Sequence, residues 1–200
     1  MTHRLNFKLH QNANHQKSIY KKLWLAHGHG HDALGWSNKQ RQLKRFEVLL
    51  QIGEMHANTV LDVGCGLGDM YGFLRTLGIR CDYEGVDILP EFVEQGRHTF
   101  KNGKFICKNI LFEEHRKVDF VLASGIFAYG DEKFFEAMVK RCFALSRKGF
   151  GFNVLSYSHT GRLFSLGDNK LVEILEPLKA QKIEIISGYL PNDRTVLVYH

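Results

Sequence analysis

Three glycines alternate with other residues directly after a short apolar segment that contains an acid. The segment spans residues 60–63 and includes Asp62. The glycines are Gly64, Gly66 and Gly68. Glycine lacks a Cβ atom and adopts positive φ at little cost, so a ligand can approach this backbone closely. A helix predicted over residues 70–77 would direct its free N–H groups at the loop. The pattern therefore predicts a nucleotide-type cofactor site at the carboxyl end of a parallel strand.

The spacing of the glycines distinguishes between cofactors. The dinucleotide fingerprint is Gly-x-Gly-x-x-Gly, and counting from Gly64 its third glycine would fall at Asp69. The pattern is instead Asp-x-Gly-x-Gly-x-Gly, which resembles the first motif of the class I S-adenosylmethionine-dependent methyltransferases. The resemblance extends over roughly residues 55–200 and implies S-adenosyl-L-methionine as the cofactor. It places Asp62, the glycines and Cys65 in the cofactor site.

A second predicted strand ends in an acid at the distance that a ribose-binding residue requires. Asp87 lies 23 residues beyond Gly64, close to the roughly 20 residues expected for such an acid. A carboxylate there can accept hydrogen bonds from both hydroxyls of an adenosyl ribose. The resemblance implies this role for Asp87 and implies that Ile88 covers one face of the adenine.

Two further strands complete the resemblance. After the third predicted strand the family places a group that hydrogen-bonds the adenine amino group, and the matching residue is Asn109, followed by Ile110. An amide keeps the hydrogen-bonding capacity of the more frequent Asp without its charge. Ser124 and Gly125 follow the fourth strand, where the family lines the methyl donor and the acceptor pocket.

The segment before the first strand resembles the N-terminal helices of small bacterial members of this family, which fold over the cofactor. Ser37 or Asn38 can cap a helix that runs to about Ile52. Trp36, just before it, is interpreted as a lid or pocket wall, and core packing is an equally good interpretation.

Two polar residues of this helix are candidate cofactor ligands. Arg45 could pair with the methionine carboxylate of the cofactor, because a guanidinium matches a carboxylate bidentately. Gln42 precedes it by about one turn and could hydrogen-bond nearby. A surface charge is an equally good interpretation of Arg45.

Three histidines alternate with glycines in the sequence His27-Gly-His29-Gly-His31. The glycines favour a mobile loop near the cofactor entrance over a metal site, so we expect no metal. The four cysteines contain no CxxC pair, which favours reduced thiols in a cytoplasmic protein over disulfides or zinc.

The positive charge is concentrated near the N-terminus. Residues 1–48 contain nine Lys or Arg and two acids, which gives them a net charge of +7. Since the whole chain has a net charge of +6, the remaining residues carry −1. A basic arm can bind nucleic acid or attract an anionic substrate. It can equally be a solvated helix face, which is more common, and no interleaved aromatic platform accompanies it.

The acceptor should bind at the sheet edge beside the cofactor, because ligands of such sheets bind beyond the carboxyl ends of the strands. Tyr129, Tyr157 and His159 follow the fourth and fifth strands, and histidine is the side chain that most often acts as a general base. A base is required only if the acceptor is protonated. The segment after the fourth strand does not match the Asn-Pro-Pro-Tyr motif of amino-group methylases of DNA, RNA and some proteins. A small-molecule acceptor is therefore favoured over tRNA or rRNA.

The expected fold is α/β, with a doubly wound, mainly parallel seven-stranded sheet, helices on both faces and an antiparallel C-terminal hairpin. The short connection between the last two strands requires the antiparallel pairing. Residues 1–54 are expected to form a helical arm and lid, and residues 55–200 the Rossmann-like domain. No membrane span or signal peptide is expected. A non-catalytic S-adenosylmethionine-binding module remains an alternative, and the oligomeric state stays open.

Overall fold

A seven-stranded sheet forms the centre of the computed structural model, which describes residues 3–28, 30–35 and 38–200. The strands are β1 (Thr59–Val63), β2 (Asp82–Asp87), β3 (Lys104–Cys107), β4 (Val118–Ala123), β5 (Ser146–Leu155), β6 (Lys182–Ser187) and β7 (Asp193–Tyr199). They lie in the order β3-β2-β1-β4-β5-β7-β6, and β7 runs antiparallel to both of its neighbours. The predicted mainly parallel sheet with an antiparallel C-terminal hairpin is confirmed.

Helices cover both faces of the sheet. They are α1 (His3–His27), α2 (Lys39–Leu49), α3 (Asp69–Thr76), α4 (Pro90–Thr99), α5 (Glu132–Leu145) and α6 (Asp168–Leu175). Helices α5 and α6 share one apolar cluster with the sheet and with Leu9 of α1, whereas α2, α3 and Val93 of α4 share the cluster on the opposite face. No helix in the described ranges has the length and apolar character that crossing a bilayer requires.

The alternation along β5 explains how α2 can lie directly on the sheet. Phe150 and Phe152 point to one face and are fully buried. Gly149 and Gly151 point to the other face, where an added Cβ would lie 2.9 Å from Ile52 and 3.1 Å from Leu49. The two glycines thus leave the space that the end of α2 and the turn after it fill, and this contact fixes α2 against the sheet.

Side chains cap the helices that the sequence analysis located. The Asn38 side chain accepts from the backbone N–H of Gln40 at 2.7 Å, and α2 continues as a 3-10 turn at Leu50–Ile52. Asp131 Oδ1 accepts from the Phe134 N–H at 2.8 Å and begins α5. The alternative cap Ser37 lies outside the described residues. The sequence predicted a helical arm but not the 25-residue length of α1.

The packing of α1 gives a first prediction. Leu9 is 1% exposed and belongs to the core cluster of α5, whereas Phe7 on the same helix is 59% exposed. Leu9→Ala would leave a cavity and should lower the free energy of unfolding by about 2 kcal/mol, the lower end of the range for buried Leu→Ala replacements. Phe7→Ala should change it by less than about 0.5 kcal/mol. Urea unfolding of both variants measures the difference, and equal effects would show that α1 does not dock as described.

Candidate active site

The glycine loop lies where β1 ends, and all three of its glycines adopt a backbone conformation that other residues rarely adopt. The φ angles of Gly64 and Gly66 are +71° and +53°. A Cβ on Gly64 would lie 2.2 Å from Cγ2 of Ile126, and a Cβ on Gly66 would lie 2.7 Å from Leu34. The N–H groups of Gly64 and Cys65 both donate to the Val86 carbonyl, at 2.8 and 3.1 Å. These two hydrogen bonds hold the loop against β2, and the other side of the loop lines a cleft.

Asp87 closes this loop from the end of β2. Its Oδ2 accepts from the Gly66 N–H at 3.0 Å, and its Oδ1 accepts from the Leu89 N–H at 2.9 Å. Burial raises the pKa of Asp87, while backbone hydrogen bonds from Leu89, Gly66 and Ile88 oppose that shift. Because a carboxylate oxygen accepts more than one hydrogen bond, both oxygens keep capacity for a ligand.

Asp62 lies beneath the loop and is 3% exposed. Burial raises its pKa to about 7, although the Tyr83 hydroxyl donates to Oδ2 at 2.7 Å and opposes the shift. The carboxyl group therefore changes charge near neutral pH, and its position in the wall of the cleft makes that charge available to a ligand.

Gln42 presents an unsatisfied acceptor to the same cleft. Its Nε2 donates to Asp69 Oδ2 at 3.0 Å, and Lys39 donates to the other oxygen of Asp69 at 2.6 Å. The buried Oε1 of Gln42 has no hydrogen-bond partner among the described residues. A buried acceptor without a partner is costly, so this atom indicates that a ligand donates a hydrogen bond here.

One cleft brings together most of the residues that the sequence analysis singled out. Those that line it are Asp62, Gly64, Cys65, Gly66, Asp87, Ile88, Asn109, Ile110, Ser124 and Gly125. Gly68 instead precedes α3 and packs on Phe105. Trp36 lies outside the described residues.

The N-terminal helix supplies a wall that the sequence analysis did not assign by residue. Ala13, Gln16 and Tyr20 of α1 line the cleft, together with Leu34. Leu34 ends a 3-10 turn at His31–Leu34, so part of the segment predicted as a mobile histidine loop is helical. His29 lies outside the described residues. Within residues 3–28, 30–35 and 38–200, no three metal-binding side chains come together to hold an ion.

The side chains of Asn109 and Ser124 have partners within the protein. Asn109 Oδ1 accepts from the Leu111 N–H at 3.1 Å. The Ser124 hydroxyl donates to Asn153 Oδ1 at 3.0 Å, and Asn153 donates to the Thr195 hydroxyl at 2.7 Å. Asn153 and Thr195 are buried. This polar network rigidly supports the floor of the cleft, and the sequence analysis did not find it.

A second cavity adjoins the cleft. Tyr20, Leu34 and Gly125 line both spaces. The three candidate catalytic residues, Tyr129, Tyr157 and His159, all line this second cavity. The structure therefore brings them together beside the cleft, as predicted for an acceptor site.

His159 already has a hydrogen-bond partner. Its Nε2 lies 2.9 Å from Nδ2 of Asn192. An amide nitrogen only donates, so Nε2 is the acceptor and the ring proton lies on Nδ1. The ring packs edge-on against Tyr157 with centroids 5.0 Å apart. As a base, His159 would act at Nε2 only after Asn192 moved.

Arg45 has a different partner from the predicted cofactor carboxylate. It lines the second cavity, and its Nε donates to Oδ2 of Asp193, a carboxylate with no exposed surface. Burial raises the pKa of Asp193, and Arg45 opposes that shift. The pair joins α2 to β7 across 148 positions of the sequence, which no local pattern could have predicted.

Comparisons with known proteins agree with this fold. Residues 60–149 match a family model described as a methyltransferase domain. The chain is 29% identical to "Putative methyltransferase Rv1506c" of Mycobacterium tuberculosis over 155 residues, which cover 70% of this chain and 92% of that protein.

Solved structures share the fold at low sequence identity. The 1,6-didemethyltoxoflavin-N1-methyltransferase of Burkholderia thailandensis superposes with a TM-score of 0.69 at 17% identity, covering 95% of this chain and 89% of that one. The magnesium protoporphyrin IX methyltransferase of Synechocystis gives a TM-score of 0.65 at 14% identity, covering 80% and 82%.

Proposed function

We propose that this chain is a class I S-adenosylmethionine-dependent methyltransferase and that it transfers a methyl group to a small-molecule acceptor in the second cavity. One observation supports the proposal above all: the cleft and the second cavity share a wall of Tyr20, Leu34 and Gly125. A donor in one and an acceptor in the other would meet there, and holding them together supplies much of the catalysis.

The groups that line the cleft suit the proposed cofactor. Asp87 can accept from the ribose hydroxyls, and Ile88 and Asn109 lie beside it for the adenine. At the other end, the unpartnered Gln42 Oε1 and the Asp62 carboxylate can both accept hydrogen bonds from an ammonium group. S-adenosylmethionine supplies an activated methyl sulfonium when bound.

The protein's own contribution is to position the reactants and to exclude water. We assign the covering role to residues 1–54, because Tyr20 of α1 and Leu34 close both cavities on one side. Burial raises the pKa of Tyr20, so this phenol stays protonated as a hydrogen-bond donor. Where the acceptor must lose a proton, His159, Tyr129 and Tyr157 are the groups within the cavity that could assist.

The charges of the arm favour a small acceptor over RNA. Four of its basic side chains form ion pairs within the described part of the protein: Lys21 with Glu91, Lys39 with Asp69, Lys44 with Glu47 and Arg45 with Asp193. A nucleic-acid surface needs cations that can reach phosphates. The names of the structural relatives, which include small-molecule methyltransferases, point the same way.

The pKa of Asp62 gives a prediction for cofactor binding. Since this pKa is about 7, the carboxyl is neutral below pH 7 and loses its attraction for an ammonium group. The affinity for S-adenosylhomocysteine should therefore rise about tenfold from pH 6 to pH 8. Asp62→Asn should bind S-adenosylhomocysteine weakly, and its affinity should not change between pH 6 and pH 8. If the affinity of Asp62→Asn still rose between pH 6 and pH 8, the pH dependence would belong to another group, such as Asp87.

Methyl transfer itself can be tested with methyl-labelled S-adenosylmethionine. The protein is incubated with the label and either a small-molecule cell extract or total RNA. We expect labelled product and S-adenosylhomocysteine with the small-molecule extract alone. Label in RNA would favour the nucleic-acid alternative, and cofactor binding without any turnover would favour a non-catalytic binding module.

A further inference from the structure

The second cavity carries an excess of positive charge. Its lining includes Arg41 and Arg45, and among the described residues that line it there is no Asp or Glu. Asp193 lies behind the wall, with Oδ2 bound to Arg45 and Oδ1 accepting from the Tyr189 hydroxyl at 3.2 Å. One buried carboxylate thus faces two guanidinium groups, so this wall of the cavity has a net charge of about +1.

Arg41 is the cation that this arrangement compensates only in part, because its charge acts on the Asp193 carboxylate without pairing directly with it. It precedes Arg45 by one turn of α2, so the two side chains share a helix face. The lysines of the same helix are paired, Lys39 with Asp69 and Lys44 with Glu47. Within the described chain Arg41 makes no hydrogen bond or ion pair, although it is half-buried. A partly desolvated charge without a partner is unfavourable, and an anionic ligand would relieve that cost.

Several aromatic side chains line the remaining walls of the cavity. They include the rings of Tyr20, Phe127, Tyr129, Tyr157 and Phe164. Tyr20 and Tyr129 pack edge-on with centroids 5.5 Å apart, which makes that part of the wall rigid. Aromatic rings bind flat apolar ligands well, because offset and edge-to-face contacts add to the burial of apolar surface.

We propose that the methyl acceptor is a small aromatic molecule with a carboxylate group, and that the guanidinium of Arg41 binds this carboxylate. This inference rests on the proposed function, since it names the substrate class of the same site. A guanidinium presents paired N–H donors that match a carboxylate bidentately. The ring would lie among the aromatic walls, and Arg41 would fix its orientation toward the wall shared with the cofactor cleft.

The test is calorimetry on protein saturated with S-adenosylhomocysteine. The probes are benzoate, benzamide and benzylammonium, which share a ring and differ in charge. Benzoate should bind at least tenfold more tightly than benzamide, and benzylammonium should not bind. Arg41→Ala should abolish the preference for benzoate, Arg41→Lys should retain part of it, and Lys44→Ala, on the same helix but outside the cavity, should retain it fully.

Other outcomes overturn the inference in distinguishable ways. Equal or undetectable binding of the three probes, or a preference for benzoate that survives in Arg41→Ala, would contradict a carboxylate site at Arg41. A tenfold loss of S-adenosylhomocysteine affinity in Arg41→Ala would place Arg41 in the cofactor cleft instead. Failure of the wild type to bind S-adenosylhomocysteine would overturn the proposed function and the inference with it.

Discussion

Replacing Asp87 by Asn should weaken the binding of S-adenosylhomocysteine by more than about 100-fold. A hydrogen bond to a charged acceptor contributes about 1.5–3 kcal/mol, so losing two from the ribose amounts to about 3 kcal/mol or more. The amide also turns one N–H donor toward the backbone N–H groups of Gly66 or Leu89, which now donate to the carboxylate. Calorimetric titration measures the change in Kd.

A ligand that lacks the ribose hydroxyls distinguishes the loss of the Asp87–ribose hydrogen bonds from the disturbance of the Gly66 and Leu89 N–H groups. The wild type should bind the 2′,3′-dideoxy analogue weakly, and Asp87→Asn should bind the parent ligand at least as weakly, because the variant also disturbs the loop. The variant should bind both ligands equally. Asp82→Asn is the matched control, because Asp82 lies on the same strand and pairs with Arg116 at the surface. Full hydroxyl discrimination in Asp87→Asn would show that another group binds the ribose.

Gly64→Ala should destabilise the fold by about 2–5 kcal/mol and eliminate measurable adenosyl binding. The φ of +71° costs an alanine about 1–2 kcal/mol. The added Cβ would also lie 2.2 Å from Cγ2 of Ile126, and relieving such overpacking costs about 1–3 kcal/mol. Urea unfolding measures the loss of stability, and calorimetry measures the loss of binding.

Gly78 provides a control with the same backbone conformation. Its φ is +72°, and a Cβ there would meet nothing within 4 Å. Gly78→Ala should therefore lower the free energy of unfolding only by the cost of a positive φ for alanine, about 1–2 kcal/mol. It should leave cofactor binding intact. Adding Ile126→Ala to Gly64→Ala should recover part of the lost stability. If the two glycine variants lost the same stability, the contact with Ile126 would not constrain the loop.

Local patterns in the sequence were sufficient for the sheet and for much of the cleft. The last two strands pair antiparallel, as their short connection requires, and Asn38 caps α2 as expected. The glycine loop and Asp87 converge as predicted, because the carboxyl ends of neighbouring parallel strands meet at one edge of the sheet.

Contacts between distant segments were not predictable in the same way. The partner of Arg45 depends on where β7 enters the sheet, and the unpartnered Oε1 of Gln42 depends on how Asp69 holds its amide. Neither leaves a pattern in the local sequence, because both arise from packing between elements. The individual residues of α1 that line the cleft were missed for the same reason, because they reach it only once the helix lies across it.

The most direct test of the proposed site is calorimetry of the wild-type protein with S-adenosylmethionine, S-adenosylhomocysteine and NAD. Both adenosyl ligands should bind with a Kd in the micromolar range. NAD should not bind, because Asp69 stands at the start of α3, where a pyrophosphate would require glycine and no negative charge. Binding of NAD, or no binding of either adenosyl ligand, would contradict a methyl-donor site in this cleft.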